Sequence, residues 1–190
     1  MRHCQRRSLN YRVPYYKTTA TTKLLELTKR IKAVAGGTSA GKTIVGQFAA
    51  YLALSQQSRC FYTTPIKALS NQKFAEFVEH FGAEHVGLLT GDNSINGEAP
   101  VVVMTTEVLR NMLYEGRDLA ALSHVVLDEV HYLQNPFRGA VWEEVIVHLP
   151  DTIDLVCLSA TVSNAEEVAD WLRTVRGAAE AVIEERRPVE

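Results

Sequence analysis

From about Val34 the chain alternates short, continuously apolar runs with stretches whose apolar residues recur every three or four positions. The runs at 33–35, 59–63, 86–89, 101–105, 124–128, 154–159 and 181–184 predict strands. Their unbroken apolar character predicts burial on both faces. The stretches at 42–54, 67–81, 107–115, 139–148 and 164–175 predict helices. This alternation predicts βαβ units, hence an α/β fold with a parallel, mostly seven-stranded sheet and helices on both faces. Residues 91–100 are polar and contain glycine, which predicts a surface loop. In such open sheets ligands bind at the carboxyl ends of the strands, so those ends are where chemistry is expected.

The composition of the 190 residues, 46% apolar and 22% charged, is that of an ordinary globular chain. No apolar run approaches the roughly 20 residues that span a bilayer, so no membrane partner is expected. Cys4, Cys60 and Cys157 are widely spaced and form no metal or redox motif. Reduced thiols and a cytoplasmic location are the expectation. Charge is uneven. Residues 1–32 hold nine Lys/Arg and one acid, Glu26, whereas the remainder is acidic. A basic arm of this kind suits nucleic-acid binding, a transit peptide, or a disordered start. Residues 1–33 are therefore set apart from the domain expected over 34–190.

Two motifs carry the chemistry. Gly36-Gly37-Thr38-Ser39-Ala40-Gly41-Lys42-Thr43 fits G-x-x-x-x-G-K-[ST] and precedes a helical run. In such a P-loop the backbone N–H groups and the helix N-terminus face phosphates. Lys42 is the candidate for the β- and γ-phosphates and Thr43 for Mg²⁺. The second motif, Asp128-Glu129-Val130-His131, ends a wholly apolar strand. Asp128 is the candidate metal carboxylate, and Glu129 the acid that orients or deprotonates water. Together the motifs imply a P-loop NTPase that binds ATP with Mg²⁺. By chemistry alone, a lone histidine such as His131 reads more often as a packed or solvated residue than as a catalytic one.

Asp128-Glu129-Val130-His131 resembles motif II of superfamily-2 DExH-box helicases, and four further segments resemble that family's motifs in order. Thr63-Thr64-Pro65-Ile66-Lys67-Ala68-Leu69-Ser70-Asn71-Gln72-Lys73 is similar to motif Ia. Leu88-Leu89-Thr90-Gly91-Asp92 is similar to the Thr-Gly-Asp turn. Met104-Thr105-Thr106-Glu107-Val108-Leu109-Arg110-Asn111 is similar to motif Ib, and Ser159-Ala160-Thr161 to motif III. The wording resembles the Ski-type RNA helicases and their actinobacterial relatives. The resemblance implies a RecA-like first domain, with single-stranded nucleic acid, RNA by family, as partner. It implies backbone contacts from Thr64, Pro65, Lys67, Ser70, Asn71, Gln72, Gly91, Asp92, Thr106 and Arg110, and coupling through His131, Ser159 and Thr161. Phosphate and sugar contacts carry little sequence information, which suits a motor that moves along any strand.

Three features depart from the family pattern. Gly36-Gly37 stands where Ala-Pro is usual. The adenine-reading Phe-x-x-Phe-Gln segment has no counterpart in 1–33, and Lys32 falls within what should be an apolar strand. Arg187-Pro188-Val189-Glu190 matches the family's link into a second RecA-like domain, which is absent from the sequence. The expectation is thus the ATP-binding half of an ATP-dependent helicase, weakly active alone. The alternative is an ATP- and nucleic-acid-binding module without helicase activity. A different P-loop enzyme is disfavoured by motifs Ia and Ib. If the chain hydrolysed ATP unaided, Arg138 and Arg173 would be the first candidates for an internal arginine finger.

Overall fold

The computed structural model describes residues 31–36, 39–119, 121–160, 165–177 and 179–184, with side chains described from Lys42 to Val182 within those ranges. Eight strands form one sheet: β1 (Ile31–Gly36), β2 (Arg59–Thr64), β3 (Val86–Thr90), β4 (Asn93–Ile95), β5 (Val101–Thr105), β6 (Leu122–Leu127), β7 (Asp154–Ser159) and β8 (Ala179–Glu184). Their spatial order is β4-β3-β5-β2-β6-β7-β1-β8. All neighbouring pairs are parallel except β3 with β4. Five helices connect them: α1 (Ser39–Ser55), α2 (Lys67–Phe81), α3 (Thr106–Tyr114), α4 (Gly139–His148) and α5 (Ala165–Arg176). A 3₁₀ turn over Val130–Gln134 precedes α4.

The period of two along each strand sorts the core into two layers. Val101, Val103, Val126, Val156 and Leu158 pack with Val45, Ala49 and Ala53 of α1 and Phe77 of α2. Their neighbours Val102, Met104, Val125, Leu127, Leu155 and Cys157 pack on the other face with Leu109 of α3, Trp142 and Ile146 of α4, and Leu172 of α5. Each fully buried large side chain contributes about 1.5–3 kcal/mol relative to exposure. Cys60 and Cys157 belong to these layers, and burial pushes both thiols up to about 12, so they are packing groups rather than nucleophiles.

Local signals set the helix ends. Pro65 precedes α2, and Gly82 stops it at φ 85° while its N–H donates to the Val78 carbonyl. α5 opens with Glu166 and Glu167 and closes with Arg173 and Arg176, matching the helix dipole. Arg176 also donates to the carbonyls of Ile146, Leu149, Pro150 and Ile153, tying the end of α4 to α5.

Two expectations need correction. The loop expected over 91–100 contains β4, an edge strand whose three residues are all exposed and which pairs antiparallel with β3. Its formation is backbone-driven: the Asn96 carbonyl comes so close to Gly87 that a Cβ there would lie 2.2 Å away. The boundary expected at 33/34 cuts through β1, which begins at Ile31. Lys32 pairs by register with Val156 on one side and Glu180 on the other. The rest of the basic segment, 1–30, lies outside the described residues.

Candidate functional site

Parallel pairing brings the carboxyl ends of β1, β7, β6, β2 and β5 to one edge of the sheet, in that spatial order. The two halves of that edge differ in content. β1, β7 and β6 deliver the phosphate-loop and motif II segments. β2 and β5 deliver motifs Ia and Ib.

On the first half, Lys42 lies in the opening turn of α1 and is buried. Its ammonium donates to Glu129 Oε1 at 3.1 Å, joining the phosphate loop to motif II across 87 residues. Asp128 is buried as well. Its Oδ2 accepts the Tyr62 hydroxyl at 2.8 Å, and its Oδ1 accepts the Glu129 N–H at 2.9 Å. Burial pushes the Asp128 carboxyl above the usual range. The Tyr62 hydrogen bond opposes the shift, the Glu129 charge adds to it, and Lys42 opposes it. Burial and the nearby Asp128 charge raise the Tyr62 phenol well above its ordinary value, so the phenol remains a donor.

Glu129 adopts φ 53°, ψ 46°, the left-handed region, where a non-glycine residue stores strain of order 1 kcal/mol. Glu129 Oε2 lies 3.2 Å from His131 Nδ1, yet both atoms are enclosed without an aligned hydrogen bond. A carboxylate with one oxygen on an ammonium and the other unpaired can take a proton or orient a water.

The donor chemistry suits Mg²⁺. Thr43 offers a hydroxyl and Asp128 a carboxylate, both hard oxygen ligands. Among the described residues no cluster of three or more His, Cys, Asp or Glu could hold a metal by itself. That fits an ion shared with substrate phosphates rather than caged by protein. Of the predicted phosphate-loop residues, Gly36 ends β1, and Ser39, Ala40 and Gly41 open α1. Gly37 and Thr38 lie outside the described residues, as does Thr161. Ser159 ends β7, pairs by register with Ala35 of β1 and is buried.

On the second half, the predicted contact residues divide in two. Thr64, Ser70 and Thr106 are fully buried. The Thr64 and Ser70 hydroxyls lie 2.7 Å apart, and Thr106 Oγ1 donates to the Thr64 carbonyl at 3.2 Å. These hydroxyls fasten motif Ia to motif Ib and do not face solvent. Pro65 is buried too, with its carbonyl accepting Arg138 at 3.0 Å. Lys67, Asn71, Gln72, Gly91 and Asp92 are exposed, and Arg110 is partly so. Lys67 pairs with Asp92, and Thr90 Oγ1 donates to the same carboxylate at 3.1 Å. The Lys67 and Thr90 hydrogen bonds lower the Asp92 carboxyl below its usual value. Arg110 contacts Asn111 and lies 3.8 Å from Glu144.

Neither arginine considered as a finger is free. Arg138 also pairs with Glu107 at 2.8 Å, and Arg173 is held by the Ala179 carbonyl and Asp170.

Sequence reasoning missed two positioning residues, Tyr62 and Gly46. A Cβ on Gly46 would fall 2.4 Å from Tyr62 Cε2, so the missing side chain in α1 is the space the ring occupies. The available signals were a phenol in an otherwise apolar strand, whose hydroxyl must find a partner, and a lone glycine within a helix.

With this geometry in place, the similarities to known proteins have a physical basis. The family described as DEAD/DEAH box helicase matches residues 17–168. The probable helicase HelY of Mycobacterium leprae is 60% identical over 157 residues, covering 82% of this chain and 17% of HelY. The chloroplastic DExH-box ATP-dependent RNA helicase DExH15 of Arabidopsis thaliana is 52% identical over 163 residues, covering 82% of this chain and 14% of that protein. The chain thus spans less than a fifth of the length of these relatives. The Pyrococcus furiosus Hef helicase domain has the same fold, with a TM-score of 0.63 at 21% identity over 86% of this chain and 38% of that one. The chain belongs to the DEAD/DEAH box helicase family, in its DExH group of the Ski2 type, and corresponds to the first RecA-like domain.

Proposed function

We propose that the chain is the ATP-binding half of an RNA helicase that works in the cytoplasm. The observation that carries this reading is the Lys42–Glu129 ion pair at 3.1 Å, set on the same sheet edge as the joined motifs Ia and Ib. Lys42 holds the β- and γ-phosphates as a compact charge, and the backbone from Gly36 to Gly41 surrounds them. Thr43 and Asp128 would hold Mg²⁺, which would neutralise phosphate charge. Glu129 accepts a proton from, or orients, the attacking water. Phosphates beside Lys42 would draw the ammonium away from Glu129 and release the carboxylate for that task. Ser159 and His131 pass the state of this half to the other.

The strand is gripped by Lys67, Asn71, Gln72 and Arg110, which are accessible and carry donors suited to phosphate and sugar. Gly91 and Asp92 shape the turn beside Lys67. The buried hydroxyls of Thr64, Ser70 and Thr106 keep that surface rigid. RNA as the strand is supported by the printed name of DExH15, an RNA helicase.

Rapid hydrolysis requires a second RecA-like domain facing this edge. Arginine fingers contribute on the order of 10³–10⁵ in rate, and Arg138 and Arg173 are each engaged within this domain, by Glu107 and by the Ala179 carbonyl. Steady-state ATP turnover with and without single-stranded RNA tests the reading. The 190-residue chain should turn over near background in both conditions and gain activity when a second domain is supplied. Robust RNA-stimulated turnover by the chain alone would contradict it.

A further inference from the structure

Lys73 was grouped with motif Ia by sequence, but its side chain does not join the exposed grip. It is buried in α2, and its ammonium donates to Thr43 Oγ1 at 2.7 Å and to Glu76 Oε2 at 2.8 Å. Glu76 Oε1 in turn accepts the Gln72 amide at 2.9 Å. A polar chain therefore runs from Thr43 through Lys73 and Glu76 to Gln72, along a groove of about 500 Å³ between α1 and α2. Two ammonium groups bracket the start of α1: Lys42 on the motif II acid and Lys73 on the hydroxyl of the next residue.

That hydroxyl is the one the proposed function gives to Mg²⁺, and the inference rests on that reading. An Mg–O distance is about 2.1 Å. Adding the observed 2.7 Å puts the metal and the Lys73 nitrogen no more than about 5 Å apart if both hold Thr43 Oγ1. Two positive charges that close repel, so the two cations compete for one oxygen. Glu76 gives the ammonium a place to go, because it already holds it from the other side.

We propose that Lys73 is a tethered cation that competes with the metal for the Thr43 hydroxyl and withdraws onto Glu76 when the metal binds. Without metal, Lys73 supplies positive charge beside the phosphates. With metal, Glu76 would hold Lys73 through Oε2, while Oε1 keeps the Gln72 amide.

The test is equilibrium binding of the fluorescent nucleotide mant-ADP to the full 190-residue chain, in Mg²⁺ and in EDTA. The readout is the ratio of the EDTA dissociation constant to the Mg²⁺ one. Lys73→Met keeps the aliphatic stem and removes the charge. It should raise the ratio roughly tenfold, the size expected for losing a hydrogen bond to a charged group, chiefly by weakening binding in EDTA. Glu76→Gln removes the carboxylate that receives Lys73 and should lower the ratio. If Lys73→Met does not fold, as judged by its melting curve, the direction of the Glu76→Gln change decides alone. A wild-type ratio preserved within about twofold in every folded variant overturns the inference and leaves the proposed function standing. Absence of wild-type binding in both buffers overturns the proposed function, and this inference with it.

Discussion

The two halves of the carboxyl edge of the sheet handle polar groups in opposite ways. On the nucleotide half, charges are buried and incompletely satisfied. Lys42 and Asp128 are enclosed, Glu129 is held in the left-handed region, and its Oε2 has no aligned partner. On the other half, apart from Lys73, which turns to Thr43, the buried groups are hydroxyls that pair with one another and with backbone carbonyls, while Lys67 is exposed and Arg110 partly so. Stabilising charge that develops on phosphate needs groups fixed in place and shielded from water, at some expense of stability. Holding any sequence of a sugar-phosphate backbone needs mobile charge on a rigid base. Destabilisation tolerated for function should therefore concentrate on the first half.

The largest expected effect comes from the packing that supports the nucleotide half. Gly46→Ala drives a methyl into the Tyr62 ring, which is already wedged edge-on against Phe77 at 5.1 Å between centroids. The stability loss should be about 3 kcal/mol, the upper range for overpacking, read from denaturant unfolding. A loss below about 0.5 kcal/mol, the range of ordinary surface changes, would show that the ring can move and that Tyr62 does not fix Asp128.

Next is the hydroxyl network of the gripping half. Thr64→Val takes the hydroxyl away from Ser70 and from the Ile66 carbonyl, while the Thr64 carbonyl that accepts Thr106 stays, and should cost about 2 kcal/mol, as buried groups losing partners do. RNA affinity measured on the folded fraction should barely change. A large affinity loss with unchanged stability would mean that the Thr64 hydroxyl touches the strand directly.

The third effect has the opposite sign. Asp128→Asn removes a carboxylate whose pKa is raised in the folded chain by burial, and should stabilise the nucleotide-free protein by about 1 kcal/mol. A raised carboxyl pKa means the folded state binds protons more readily than the unfolded one. The wild-type penalty is therefore full above the folded pKa, shrinks as pH falls through it, and is gone below the unfolded value. The gap between Asp128→Asn and wild type should close on acidification, as followed by melting temperature against pH. A gap that widened toward low pH would reverse the assignment.

The smallest stability effect is expected at the exposed cations. Lys67→Ala and Arg110→Ala should each change stability by less than about 0.5 kcal/mol. Each should nevertheless lower the slope of log affinity for single-stranded RNA against log salt by roughly one. Unchanged slopes in the double variant would move the binding surface elsewhere, with the basic segment 1–32 as the next candidate.

Much of this arrangement was legible before any coordinates. The helices expected over 67–81 and 139–148 coincide with α2 and α4, because Pro65 and Gly82 punctuate the first and the apolar spacing defines the second. Seven strands stood out because burial on both faces makes them continuously apolar. β4 escaped because Asn93–Ile95 buries nothing and exists only through pairing with β3. The start of β1 was missed because the charge of Lys32 masks a backbone paired on both sides. Within the site, one-dimensional motifs identify which residues carry polar atoms but not which way they face. That is why Thr64, Ser70 and Thr106 read as external donors, and why the contacts of Lys73 with Thr43 and of Tyr62 with Asp128 required the packing of α1 against α2 and β2.

The central claim is that Lys42 holds phosphate charge while Glu129 acts on water. The direct measurement is equilibrium titration of wild type, Lys42→Ala and Glu129→Gln with a non-hydrolysable fluorescent ATP analogue in Mg²⁺. Lys42→Ala should lose roughly ten- to a hundredfold in affinity, the loss of a charge-assisted contact. Glu129→Gln should bind as well as wild type or better, because the carboxylate that holds the Lys42 ammonium at 3.1 Å is gone. Equal losses in the two variants, or intact binding by Lys42→Ala, would contradict the assignment.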